Sequence, residues 1–178
     1  MYTLKLEAVD KRDTNVGIKI GRLGELVRTG LPVPPGFVLT ADAYYRFLKM
    51  NRIDSKIEEL LGKVDIEDTE SLNSVSSQIR NMIINGSVPD FVEKEVKEAY
   101  EELAVGKEVK EIGGIALDMV KAGRGREFVA VRPSLVNCPA NGFTGCGEAV
   151  LNVAGLKQLL EAVKRCWASL FSSSSVYC

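Results

Sequence analysis

Residues 15–40 read NVGIKIGRLGELVRTGLPVPPGFVLT. Gly17, Lys19 and Gly21 lead into a helical stretch, Gly21 to Arg28, whose Leu23, Leu26 and Val27 fall on one side. Thr29-Gly30 closes it in the manner of a glycine C-cap, and Pro32, Pro34 and Pro35 then hold the chain extended into a strand, GFVLT. Two readings are open. In one, the glycines let backbone N–H groups approach an anion, the helix start carries partial positive charge and Lys19 adds a full one, so the stretch binds phosphate. In the other, it is a capped helix packed on a sheet with a solvated lysine. Its spacing fits neither G-x-x-x-x-G-K-[ST] nor G-x-G-x-x-G, so the stretch alone does not choose.

On either side of this stretch, the pattern changes in a telling order. YTLKL, residues 2–6, alternates as a half-buried strand does. Thr40 is placed to cap a helix over Ala41–Met50, and helices over about 53–63 and 69–85 follow. In the second of these Leu72, Val75, Ile79, Met82 and Ile83 keep the spacing of one buried face. Pro89 opens another helix with Val92, Val96, Ala99, Tyr100 and Leu103 as its stripe, and a helix over about 115–122 precedes the strand Phe128–Val131. EAVLNV, residues 148–153, reads as the partner strand across a glycine-containing loop. A strong amphipathic helix at about 155–171 carries Leu156, Leu159, Leu160, Val163, Trp167 and Leu170 on one face, and the serine-rich residues 172–178 should fray. Strands at the ends and helices over about 41–122 predict a single α+β domain across 1–178, with one small, mainly antiparallel sheet.

Composition narrows the function. With 178 residues, 46% of them hydrophobic, the chain can build one real core. Its 23 basic and 24 acidic residues leave no field to draw in nucleic acid or an anionic membrane. No basic start with an apolar run and no long apolar span is present, so a soluble, cytoplasmic protein is expected. Cys138, Cys146, Cys166 and Cys178 form no C-x-x-C pair, and the absence of histidine removes histidine acid-base chemistry, histidine-based triads and good structural zinc ligands. Neither a catalytic nor a metal-ligating residue is expected within the chain.

Arg132 ends the strand FVAV beside that loop, placed as a phosphate clamp would be, because its rigid fork can hold two oxygens. A surface arginine paired with an acid is the alternative.

Together VGIKIGRLGELVRTGLPVPPGFVLT, FVAVRPS, FTGCGEAVLNV and AVKRCWASLFS, in this order, resemble the N-terminal ATP-binding region of the phosphoenolpyruvate synthase and pyruvate phosphate dikinase family. The resemblance implies the first lobe of an ATP-grasp-like domain, in which ATP with Mg²⁺ lies between two lobes. The β-phosphoryl group then passes to a histidine on a separate domain and on to pyruvate. The family's VGGKGA lysine falls on Lys19, its VRSSA arginine on Arg132 with Ser134 beside it, and its glycine loop on Phe143-Thr144-Gly145-Cys146. Lys19, Arg132, Ser134 and Gly145 are thus the expected ATP-contact positions.

The departures cluster at the same places. Ile18 stands where glycine is usual, and a β-branched residue there should restrict a backbone that approaches phosphate. RPSLVNCPANGF replaces RSSATAEDLPDASF, so an expected Glu-Asp pair is missing, and Pro133 removes a donor beside Arg132. The resemblance places the metal-holding acids, the phosphohistidine and the pyruvate site beyond the equivalent of residue 178. A partner chain could supply them, and the isolated chain is expected to be inactive. A degenerate binding or regulatory module that keeps the fold is the competing expectation.

Overall fold

The structure, a computed structural model, describes residues 1–10, 12–65, 67–109, 128–136 and 147–177, without the side chains of 104–109 and 177. The described elements run β1 (Thr3–Lys5), a 3-10 turn (Leu6–Ala8), α1 (Ile18–Arg28), β2 (Phe37–Leu39), α2 (Ala41–Met50), α3 (Asp54–Leu61), α4 (Thr69–Asn85) and α5 (Asp90–Val109). After them come β3 (Phe128–Val131), β4 (Val150–Ala154), α6 (Leu156–Ser169) and α7 (Ser173–Tyr177). The helix expected over 115–122 lies outside the described residues.

α1 begins three residues earlier than its apolar stripe suggests. Gly17 is its N-cap with extended backbone, and its carbonyl takes the N–H groups of Ile20 and Gly21 at 2.9 and 3.1 Å. The glycine-spaced segment that reads in sequence as leading into the helix is therefore its first turn. Gly24 lets α1 approach the 3-10 turn, since a Cβ there would lie 2.8 Å from the Val9 carbonyl.

The strands fall where alternation puts them, but they form two antiparallel pairs among the described residues. β1 pairs with β2, Leu4 opposite Val38, and β3 pairs with β4, Phe128 opposite Ala154. This corrects the single sheet expected from sequence. The Glu95 carboxylate of α5 accepts from the N–H groups of Tyr2 and Thr3 at 2.6 and 3.0 Å, so donors at the start of β1 are satisfied by a side chain and not by another strand. The two ladders meet instead through apolar side chains. Val92, Val96 and Tyr100 of α5 share a buried cluster with Phe37 and Leu39 of β2, Val129 and Val131 of β3 and Val153 of β4.

Period-two alternation divides each ladder. Leu4 and Val38 turn to α1, joining Val9, Val16, Ile20 and Leu23, while Phe37 and Leu39 turn to α5. In the second ladder Val129, Val131 and Val153 face the helices, whereas Phe128 and Leu151 stay 72% and 58% exposed. A helical core forms beside the sheets, with Phe47, Ile79 and Ile83 fully buried and the Phe47 ring 4.9 Å from that of Trp167. The serine tail expected to fray is instead drawn into a short helix against α4. Ser76 donates to the Phe171 carbonyl, and Ser173 donates to Asn73 Oδ1, each at 2.6 Å.

Candidate functional site

A backbone contact builds the site. A Cβ on Gly17 would lie 2.1 Å from Ser134 Oγ and 2.5 Å from the Leu135 carbonyl, so a residue with any side chain would push α1 off the segment leaving β3. The start of α1 and the exit of β3 therefore lie in close approach. Lys19 is exposed in the first turn of α1, two residues from Gly17, and Arg132 is exposed two residues before Ser134. The two sequence-predicted cations thus flank the same contact along the chain. Gly145 lies outside the described residues.

The electrostatics of this corner favour an anion. No side chain caps the start of α1, its first turn holds no acid, and the earliest helical N–H groups have no intrahelical acceptor. Ser134 Oγ is buried and has no hydrogen-bond partner among the described residues. Leaving such a hydroxyl unmatched costs about 1–3 kcal/mol, a cost that a ligand supplying a partner would remove. Ile18, expected to hinder this approach, is the first helical residue and 48% exposed, so its β-branched side chain points out without straining the backbone.

A groove of about 940 Å³ opens beside the contact. Gly17, Arg132 and Ser134 line it together with the edges of β2 and β3, and Tyr44 and Trp167 stand among its aromatic walls. Burial, with a smaller contribution from Tyr45, pushes the Tyr44 phenol far above its ordinary value, so it is a neutral wall at physiological pH. Cys166 also lines the groove; burial pushes its thiol up to about 11, which keeps it protonated.

One of the two readings open from the sequence used Gly17 for phosphate approach; in the structure Gly17 leaves room for Ser134. Gly147 was not singled out. It sits at φ +96°, and a Cβ there would meet Pro133 Cγ at 2.5 Å. Both signals are pair distances across more than a dozen residues, which a single sequence does not print.

The sequence profile of the pyruvate phosphate dikinase AMP/ATP-binding domain matches residues 13–177. This chain belongs to that family. It is 39% identical to a probable phosphoenolpyruvate synthase of Archaeoglobus fulgidus, across 99% of this chain and 22% of that protein. With a probable phosphoenolpyruvate synthase of Staphylothermus marinus it shares 37%, across 99% of this chain and 20% of the relative. The phosphoenolpyruvate synthase of Escherichia coli is 34% identical, across 90% of this chain and 19% of that enzyme. The chain therefore spans about a fifth of the length of these curated relatives. In this AMP/ATP-binding domain, no described helix is long and apolar enough to cross a membrane, and no described group of three acidic, cysteine or histidine side chains is gathered as metal ligands.

Proposed function

We propose that this chain is the ATP-binding lobe of a phosphoenolpyruvate-synthase-like phosphotransferase, of ATP-grasp type and not catalytically complete by itself. The observation that carries the reading is the seating of an uncapped helix start against a buried, unmatched serine hydroxyl, with an exposed lysine and an exposed arginine on the two adjoining segments. ATP carries several negative charges that must be met from more than one side. On this reading Lys19 and the α1 N–H groups meet one side of the polyphosphate, and Arg132 with Ser134 the other.

Bound ATP would supply the phosphoryl group. The residues of this chain orient it and neutralise its charge; with no histidine in the sequence, the carrier of the phosphoryl group on its way to pyruvate belongs to another domain or a partner chain. Magnesium would accompany the nucleotide, and this reading assigns it no ligand from the described residues. A cytoplasmic location fits such a substrate. The exposed site is screened by water, so binding by the isolated chain is expected at about millimolar dissociation constants, roughly 4 kcal/mol.

Titrating Mg-ATP while following backbone amide shifts tests this. Shifts centred on residues 17–22 and 132–134, lost in Lys19→Ala and Arg132→Ala, are expected. The absence of shifts at tens of millimolar nucleotide favours a degenerate binding module. Pro133 gives that second reading its support, because it removes a backbone donor beside Arg132.

A further inference from the structure

The WASLF signature near the end of α6 contributes Trp167 to the core, but its serine lies at the other edge of the helix. Ser169 Oγ accepts from the Glu148 N–H at 2.9 Å and donates to the Cys166 carbonyl at 2.7 Å. A hydroxyl can do both at once. One turn earlier, the Cys166 thiol lies 3.2 Å from the Glu148 carbonyl and 3.6 Å from that of Val131. The end of α6 therefore grips the last residue of β3 and the approach to β4 together.

The grip continues to the nucleotide corner. A Cβ on Gly147 would meet Ser169 Oγ at 3.2 Å and Pro133 Cγ at 2.5 Å, so Gly147 is clasped between that hydroxyl and the proline that follows Arg132. Any slackening of the Ser169–Glu148 bond gives Gly147, and through it Pro133, room to move.

From this geometry we infer that Ser169 is a positioning residue for the nucleotide site, fixing through Glu148, Gly147 and Pro133 the direction in which Arg132 and Ser134 leave β3. The inference rests on the ATP-lobe reading for its functional consequence, but its structural half can be measured without nucleotide. Ser169 touches no ligand itself. Its hydroxyl sets the backbone that does.

The test compares Ser169→Ala with Ser169→Thr, which retains the hydroxyl, in the full chain labelled for amide spectroscopy. In Ser169→Ala the Glu148 amide is expected to exchange faster with solvent, and the Arg132 and Ser134 amides to shift, with Ser169→Thr restoring both. The dissociation constant for Mg-ATP should rise about threefold to tenfold in Ser169→Ala, the equivalent of one hydrogen bond, and recover in Ser169→Thr. If Ser169→Ala does not fold, Ser169→Cys, a weaker donor and acceptor, should give smaller shifts of the same pattern. Unmoved Arg132 and Ser134 amides in a folded alanine or cysteine variant overturn the inference, as does a threonine variant no better than alanine. If the wild-type chain shows no Mg-ATP shifts while Ser169→Ala still displaces Arg132 and Ser134, only the ATP-lobe reading falls.

Discussion

The two strand pairs have similar lengths and opposite circumstances. β1–β2 has α1 on one face and α5 on the other, and Glu95 takes two N–H groups at its start. β3–β4 packs one face on helices and leaves Phe128 and Leu151 bare on the other. A ladder with both faces covered is scaffold. On the ATP-lobe reading proposed above, the ladder with one open face, which leads into an exposed arginine and an unmatched serine hydroxyl, is the working surface.

The contact joining these regions is the first place to break the comparison. Gly17→Ala puts a methyl into Ser134 and the Leu135 carbonyl, and backbone cannot yield as a side-chain tip can. We expect a loss of about 3 kcal/mol in denaturant unfolding, together with loss of Mg-ATP shifts at both segments. An alanine variant with full stability and binding would mean that scaffold and working surface are not coupled here.

A pH series separates the buried from the open side of β3–β4. Cys166 is 4% exposed, and burial raises its thiol to about 11 against a smaller opposing pull from the Val150 backbone, the charge of Glu148 adding least. The unfolded thiol ionises near 8.5 to 9, so between about pH 9 and 11 the unfolded chain gives up a proton that the folded chain keeps. Stability should therefore fall with rising pH in that window, by about 2 kcal/mol more in the wild-type chain than in Cys166→Ala measured alongside it. Parallel curves for the two proteins would show that this side is wetter than its packing implies.

Glu95→Ala sharpens the contrast from the scaffold side. Losing an acceptor for two N–H groups should cost about 1–2 kcal/mol, and nucleotide shifts should persist, because Glu95 acts on β1 and not on the β3 exit. The smallest effect belongs to the bare face: Phe128→Ser should change stability by less than ~0.5 kcal/mol, since its ring is already mostly in water. A large loss there would show the face to be covered after all.

Much of this was legible along the chain. Alternation in YTLKL, the spacing of Leu72, Val75, Ile79 and Ile83, and proline or glycine punctuation placed the elements, because period and turn chemistry are local. The order of four motifs was enough to point to the AMP/ATP-binding family that residues 13–177 match. Lys19 and Arg132 could be named as candidates from residue type and place in an element.

The sequence by itself determined where the strands and most of the described helices fall, which faces are apolar, and that no histidine chemistry is available. Only the tertiary structure decided that the strands form two pairs, that the serine tail docks on α4, and that Gly17 admits Ser134 while Gly147 is held between Pro133 and Ser169. Those outcomes rest on close approaches between residues far apart in the chain. Periodicity records the face a residue presents, but not the atom that will stand ångströms away from it once the faces are packed.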